Sequence, residues 1–215
     1  MTPKFASAVD PIFLYVLGVL DRISANDPPL AEDVREGVQN RFREADAKLS
    51  EQIHREGWEL AKYALASWID DVLIEAPWPG RDWWENNSLE FAYFNTRDRA
   101  TQFFRMAKDA AALTRRDAIE VFYVCVILGF RGLYAMSEAA FLADQLGLSP
   151  DLDSWTARTA KLITLGQGRP PLYPAPRPGE GAPPLEGKFL LVSYSLAAIV
   201  LVLCVAVVGY YVFVV

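Results

Sequence analysis

The chain has 215 residues, enough for one sizeable core plus an appendage. Its 27 acidic and 21 basic residues leave a net charge of −6 and a pI near 4.9, which disfavours nucleic-acid partners, because neutralising phosphate needs a basic face. A single histidine, two cysteines without a CxxC, and the lack of a P-loop or a G-x-S-x-G elbow give no support for a zinc site, nucleotide-driven coupling or Ser-His hydrolysis.

Lys4 precedes an apolar run from Ile12 to Leu20 that could be mistaken for a secretory leader. Asp10 and Pro11 stand before the run, Asp21 and Arg22 close it, and no convincing cleavage site follows. The segment reads as an amphipathic helix capped by Asp10, with Pro11 in its first turn. From Leu30 to about Leu65, Val34, Val38, Phe42, Ala45, Leu49, Ile53 and Leu60 recur at helical spacing, opposite Arg35, Gln39, Arg43, Asp46 and Glu51. Pro28 and Pro29 open this region, and Ser50 and Gly57 are candidate breaks, so it reads as one long helix or two. His54 lies on a charged stretch and reads as a surface residue.

The helix carrying "WELAKYALASWIDDVL", residues 58–73, stops at Pro77, Pro79 and Gly80. Neighbouring helix positions point about 100° apart, so Asp70 and Asp71 do not converge on one proton or one metal. Asp71 and Glu75, four apart, share a face. Three readings stand. One aspartate is solvated while the other bonds a backbone amide or an arginine. Or the acidic group is a surface for a protein partner. Or Asp71 and Glu75 hold a divalent metal in a membrane-anchored enzyme, which needs both carboxylates in a cleft within about 4–5 Å. Trp78, in a Pro-Gly loop, serves either the core or an interface, where exposed Trp is enriched; Trp84 reads as core. The expected partner-binding residues are Asp70, Asp71, Glu75 and Trp78, with no catalytic or metal-binding residue.

Further along, the pattern predicts a short helix over 83–94, a helix capped by Thr96 reaching about Ala112, and one capped by Thr114 and Asp117. "VFYVCVILGF" is β-prone by composition, but its length, cap and neighbours favour a buried helix. Helices over 134–146 and 153–165 follow. Arg97, Arg99 and Arg105, interleaved with Asp98 and Asp109, read as solvated helix faces. No internal repeat and no hairpin pattern occurs, so residues 1–165 read as one all-α domain. Residues 166–187 hold seven prolines and form an extended linker that holds this domain off the bilayer.

From Phe189 to Val215 there is no charged residue, and a helix needs about 20 apolar residues to cross the hydrocarbon core. Tyr194, Tyr210 and Tyr211 sit near the two ends, where aromatic rings favour the interface. With Lys188 abutting the span, Arg177 and Arg169 upstream, and the span at the end of the chain, residues 1–188 are expected in the cytoplasm. Cys125 in the soluble part and Cys204 in the span cannot pair, which fits a reducing compartment. Ser193 and Ala197 form a stripe of small residues, either on a passive anchor or on a face for helix–helix contact.

The order of features resembles a family. "WELAKYALASWIDDVL" resembles that family's "YALCALLDEAVL", with Asp71 where Glu is usual. "APWPGRDWWENNSLEFAYFN" resembles its "tPWG…W…SLL..FH" stretch, "QFF" at 102–104 its "G-E-x-FF", and "AIEVFYVCVILGFRGLY" its "LLELYYLCLALGFEGKYR". A Pro-rich tail and a C-terminal span complete the pattern of the DotU/IcmH family, called TssL in type VI secretion systems, with relatives in type IVB systems. Departures are Asn95 for His, Arg131 for the Glu of "GFEG", Ala135 for the basic residue after "GKY", Ala100-Thr101 for Gly-Glu, and a shortened loop between the second and third helices. The resemblance implies a cytoplasmic domain of two packed three-helix bundles, hook-shaped, hung from one inner-membrane helix. It also implies a structural role without enzymatic activity, cofactor or small-molecule substrate. The implied partners are the IcmF-like inner-membrane protein (TssM), baseplate subunits such as TssK, and a second copy through self-association. The rivals are the metal enzyme above and a tail-anchored adaptor unrelated to secretion.

Overall fold

Apolar residues spaced three and four apart put Phe5, Val9, Ile12, Phe13, Val16 and Val19 on one buried stripe of α1, Pro3–Ser24. The computed structural model describes the backbone of residues 1–166 and 187–214, and the side chains of 1–51, 54–165 and 192–209. Residues 167–186 of the predicted linker, and the side chains of Ile53, Lys188, Tyr210 and Tyr211, lie outside the described residues.

α1 begins at Pro3 rather than at Asp10, and Pro11 lies inside it. A proline there has no N–H for the carbonyl of Ser7. That oxygen instead accepts from Lys48 Nζ at 3.2 Å, so the helix continues through Pro11. The region from Leu30 is two helices, α2 (Ala31–Lys48) and α3 (Gln52–Glu75). The break falls at Leu49, Ser50 and Glu51, and Gly57 stays within α3. Asp46 ties the two together: its carboxylate accepts from Trp58 Nε1 at 2.7 Å and from Lys62 Nζ at 2.9 Å.

α3 is buried without interruption from Ala61 to Asp70, the pattern of a helix enclosed on all sides. It packs against α1, α4 (Arg81–Asn86), α5 (Leu89–Phe94), α6 (Arg99–Ala112) and α7 (Asp117–Ile127). The expected short helix over 83–94 is therefore two, split at Asn87 and Ser88. Gly132–Ala135 is a short 3-10 helix, followed by α8 (Ala139–Gln145) and α9 (Leu152–Gly166). The β-prone run is helical, as its length required.

One core runs through these elements. Phe103 stacks on Phe130 at 3.9 Å and meets Phe122 at 4.8 Å, while Phe104 meets Trp155 at 5.3 Å. The "QFF" phenylalanines thus join α6 to α7, to the loop after it and to α9. Thr96 does not cap α6; its hydroxyl donates to Glu90 at 2.5 Å. Nor does Thr114 make a side-chain cap for α7, and Asp117 instead accepts from Thr2 Oγ1 at 3.2 Å and Arg115 Nε at 3.3 Å. His54, expected on the surface, is 7% exposed.

The chain divides into two compact units, Met1–Arg169 and Pro170–Val215. Among the described residues, three helices are long and apolar enough to cross a membrane: Pro3–Ser24, Asp117–Ala135 and Val192–Gly209. The first two bury 39% and 44% of their apolar windows in the core of the first unit. The third lies in α10 (Gly187–Val214), buries none of its window and has the highest mean hydropathy, 2.5. All described helical content considered, the first unit is all-α, with no strand among the described residues.

Candidate functional site

Asp70 and Asp71 follow one another on α3 but face different surroundings. Asp70 is fully buried. Its Oδ1 accepts from Trp84 Nε1 at 2.9 Å and from the Leu89 amide at 2.8 Å, and its Oδ2 accepts from the Glu90 amide at 2.8 Å. Leu89 and Glu90 are the first two residues of α5, whose own N-cap Ser88 makes no side-chain cap bond. Asp70 therefore caps α5 from α3, filling amides that a helix start leaves open. Burial pushes its carboxyl up to about 6, although the three donors pull the other way.

Glu90 continues the chain of contacts. It is also fully buried, and its Oε1 accepts from Tyr63 Oη at 2.9 Å, Thr96 Oγ1 at 2.5 Å and the Asp98 amide at 3.0 Å. Burial, and then the Glu90 carboxylate, raise the Tyr63 phenol. Asp98 is the N-cap residue of α6, so two buried carboxylates join α3, α4, α5 and the start of α6. Glu90 Oε2 makes no hydrogen bond, and its nearest cation is Arg99, 4.0 Å away.

Asp71 opens to the surface, with its side chain 16% exposed. Arg99 Nε lies 3.5 Å from Asp71 Oδ1, and the Arg131 amide also donates to this carboxylate. Burial first, and then the neighbouring Glu75, raise the Asp71 carboxyl. The loop that brings the Arg131 amide here contains Gly132 at φ +49°, where an added Cβ would stand 2.9 Å from the Ala100 carbonyl oxygen; only glycine allows that approach.

The four residues expected at a partner surface therefore separate. Asp71 and the exposed Glu75 remain on the outside. Asp70 offers no atom to a partner, because its oxygens are spent on α4 and α5. Trp78 is 7% exposed, donates from Nε1 to the Leu73 carbonyl at 2.8 Å and packs 6.5 Å from Trp84, so it belongs to the core. Arg99, read as part of a solvated face, is instead the cation between Asp71 and Glu90, and Arg131 stands exposed beside them. Sequence reasoning missed Glu90, Tyr63 and Arg99; the one available signal was a glutamate directly after a Ser-Leu helix start with Tyr and Trp upstream. Among the described residues no three His, Cys, Asp or Glu side chains gather to hold a metal, and the near partner of Asp71 is a guanidinium. The arrangement can present charge and hold helices together.

Comparison with known proteins bears on what such a surface serves. No curated protein matches the chain significantly. Among solved structures, the cytoplasmic domain of TssL from Acinetobacter baumannii matches with a TM-score of 0.59 at 19% identity, covering 75% of this chain and 98% of that one. At that identity the likeness is one of fold. The profile of the family described as "Type VI secretion system protein DotU" matches residues 4–214, from the start of α1 to the end of α10. Since the match takes in the helical unit, the Pro-rich stretch and the apolar helix together, the chain belongs to the DotU family of type VI secretion system proteins.

Proposed function

We propose that this chain is a non-enzymatic scaffold of a type VI secretion membrane complex. In this reading residues 1–165 form a cytoplasmic domain, residues 166–187 a spacer, and residues 189–215 the single span in the inner membrane. The observation that carries it is the contrast between α10, which buries none of its apolar window, and the apolar helices of the first unit, which spend theirs on a core. An unburied apolar helix needs lipid around it. The scaffold role also agrees with a charged site whose residues hold helices rather than converge on a reacting atom.

The docking surface on the soluble unit is Asp71 and Glu75 with Arg99 and Arg131. Its partners are baseplate subunits such as TssK and the IcmF-like inner-membrane protein TssM. Mixed charges of this kind set register and selectivity. Within the membrane, Ser193 and Ala197 share one face of α10 with Val200, Leu201 and Cys204. That face makes a helix–helix contact, either in self-association or with spans of the IcmF-like protein.

Affinity purification of the full chain from native membranes, followed by mass spectrometry, tests the reading. Type VI secretion subunits should co-purify. A tail-anchored adaptor unrelated to secretion would bring down other proteins, and that outcome would replace the scaffold.

A further inference from the structure

The loop after α8 borders a cavity of about 160 Å³ that also takes in residues of α6 and α9. Phe104, Ile119, Trp155 and Leu162 make its lining largely apolar, and the exposed Lys108 and Arg158 line it too. None of its lining residues is acidic. Among the described residues neither cation has an ion pair or a hydrogen bond, in a chain that carries 27 acids. A cavity of about 150 Å³ holds a benzene-sized body, and small-molecule sites start at about 300 Å³, so this one suits a single large apolar side chain. A matching side chain stands beside it. Phe141 on α8 is 63% exposed, so it does not fill the cavity of its own chain. Glu138 and Asp144, three residues before and after Phe141, share its side of the helix and are exposed. Neither carboxylate has an ion pair or a hydrogen bond among the described residues. Gly147, at φ +61°, turns the chain from the end of α8 directly into the cavity wall, so knob and hole are neighbours on one surface.

We propose that the cavity receives Phe141 from a second copy of this chain, with that copy's Glu138 and Asp144 on Lys108 and Arg158. Each copy carries both halves, so a twofold axis lets each give a phenyl ring and receive one. The ring leaves water for the faces and edges of Phe104 and Trp155, and an aromatic anchor seated in a pocket supplies most of the energy of such a contact. The four charges, unpaired within one chain, meet opposite charges in the pair and fix its orientation. The surface lies on the first unit and is separate from any contact made by α10. One anchor makes a weak contact in solution, but copies held in one membrane meet at a raised effective concentration. That last step alone rests on the membrane reading proposed above.

The test uses the full chain in cells, as two differently tagged copies with the photoreactive p-benzoylphenylalanine in place of Phe141. Irradiation should join the two tags, and mass spectrometry of the adduct should place the crosslink at the cavity, within residues 104–108, 147–149 or 155–162. Lys108→Glu with Arg158→Glu should cut the yield on the order of tenfold, because like charges then face each other. Adding Glu138→Lys and Asp144→Lys to that same chain should restore it, a rescue that a mere effect on folding would not give. A crosslink to another protein in place of the second copy overturns the occupant, and one elsewhere on the second copy, or none, overturns the site. A yield that ignores the charge reversal, or that the compensating pair does not restore, overturns the charge pairing. Fractionation of the same cells tests the membrane reading by itself: a chain found outside the membrane that still crosslinks at the cavity keeps this contact and loses that reading.

Discussion

Asp70 caps a helix that its own N-cap residue leaves uncapped, and this sets its worth to the fold. Replacing it by alanine leaves Trp84 Nε1 and two α5 amides without an acceptor in a dry interior. Chemical denaturation of Asp70→Ala should show a loss of roughly 3–5 kcal/mol, whereas Asp71→Ala, beside a part-exposed arginine, should lose less than about 1 kcal/mol. Equal losses would contradict the division between the two. The pH dependence has a definite sign. The folded chain holds the Asp70 proton up to about 6 and the unfolded chain releases it near 3.8, so folding takes up a proton between these values. Wild type should therefore lose stability relative to Asp70→Asn as pH rises from about 4 to 6, then run parallel to it; a rising difference would refute the assignment. The sequence could not say which aspartate points inward. From Ala61 to Ile69 only Lys62 and Ser67 are strongly polar, and two residues five apart define no polar face from which the direction of Asp70 could be read.

Among the elements, the helices were legible and several of their ends were not. Period and length identified α7, the apolar α10 and the helical region from Leu30, which they left open as one helix or two and which the fold divides into α2 and α3. Pro11 was read as a start signal because an interior proline leaves a carbonyl bare, and only the fold brings Lys48 to it. The split between α4 and α5 depends on Asp70, a residue on another helix. Thr96, a good cap by type, is drawn to the buried Glu90 instead. The apolar helices divide by burial into core and exposed, and this too is testable. A chain ending before Gly187 should be soluble, monodisperse and helical by circular dichroism, because the first unit holds its own core. Aggregation of that fragment would mean that the core is incomplete without the second unit. Ser193→Leu with Ala197→Leu should leave insertion intact, since leucine is as apolar as lipid, and should reduce self-association or co-purification of the IcmF-like protein. Unchanged association would make α10 a passive anchor.

Across the whole molecule, the family pattern was carried by local motifs, while the proposed docking surface depends on which residues the fold leaves outside. Asp70 and Trp78 are spent on the interior, and Arg99 and Arg131 join Asp71 and Glu75 from other segments. Contacts between segments so far apart in sequence leave no trace in spacing. The central claim is that this charged face docks secretion partners and that the buried acids only hold it in place. Its most direct test compares wild type with Asp71→Asn, Glu75→Lys in affinity purification from native membranes, with thermal unfolding measured on the same samples. The doubly substituted chain should unfold within a few degrees of wild type, since Glu75 is exposed and asparagine keeps the shape and one accepting oxygen of the part-buried Asp71, and should lose its baseplate partners. A folded variant that retains every partner would contradict the account.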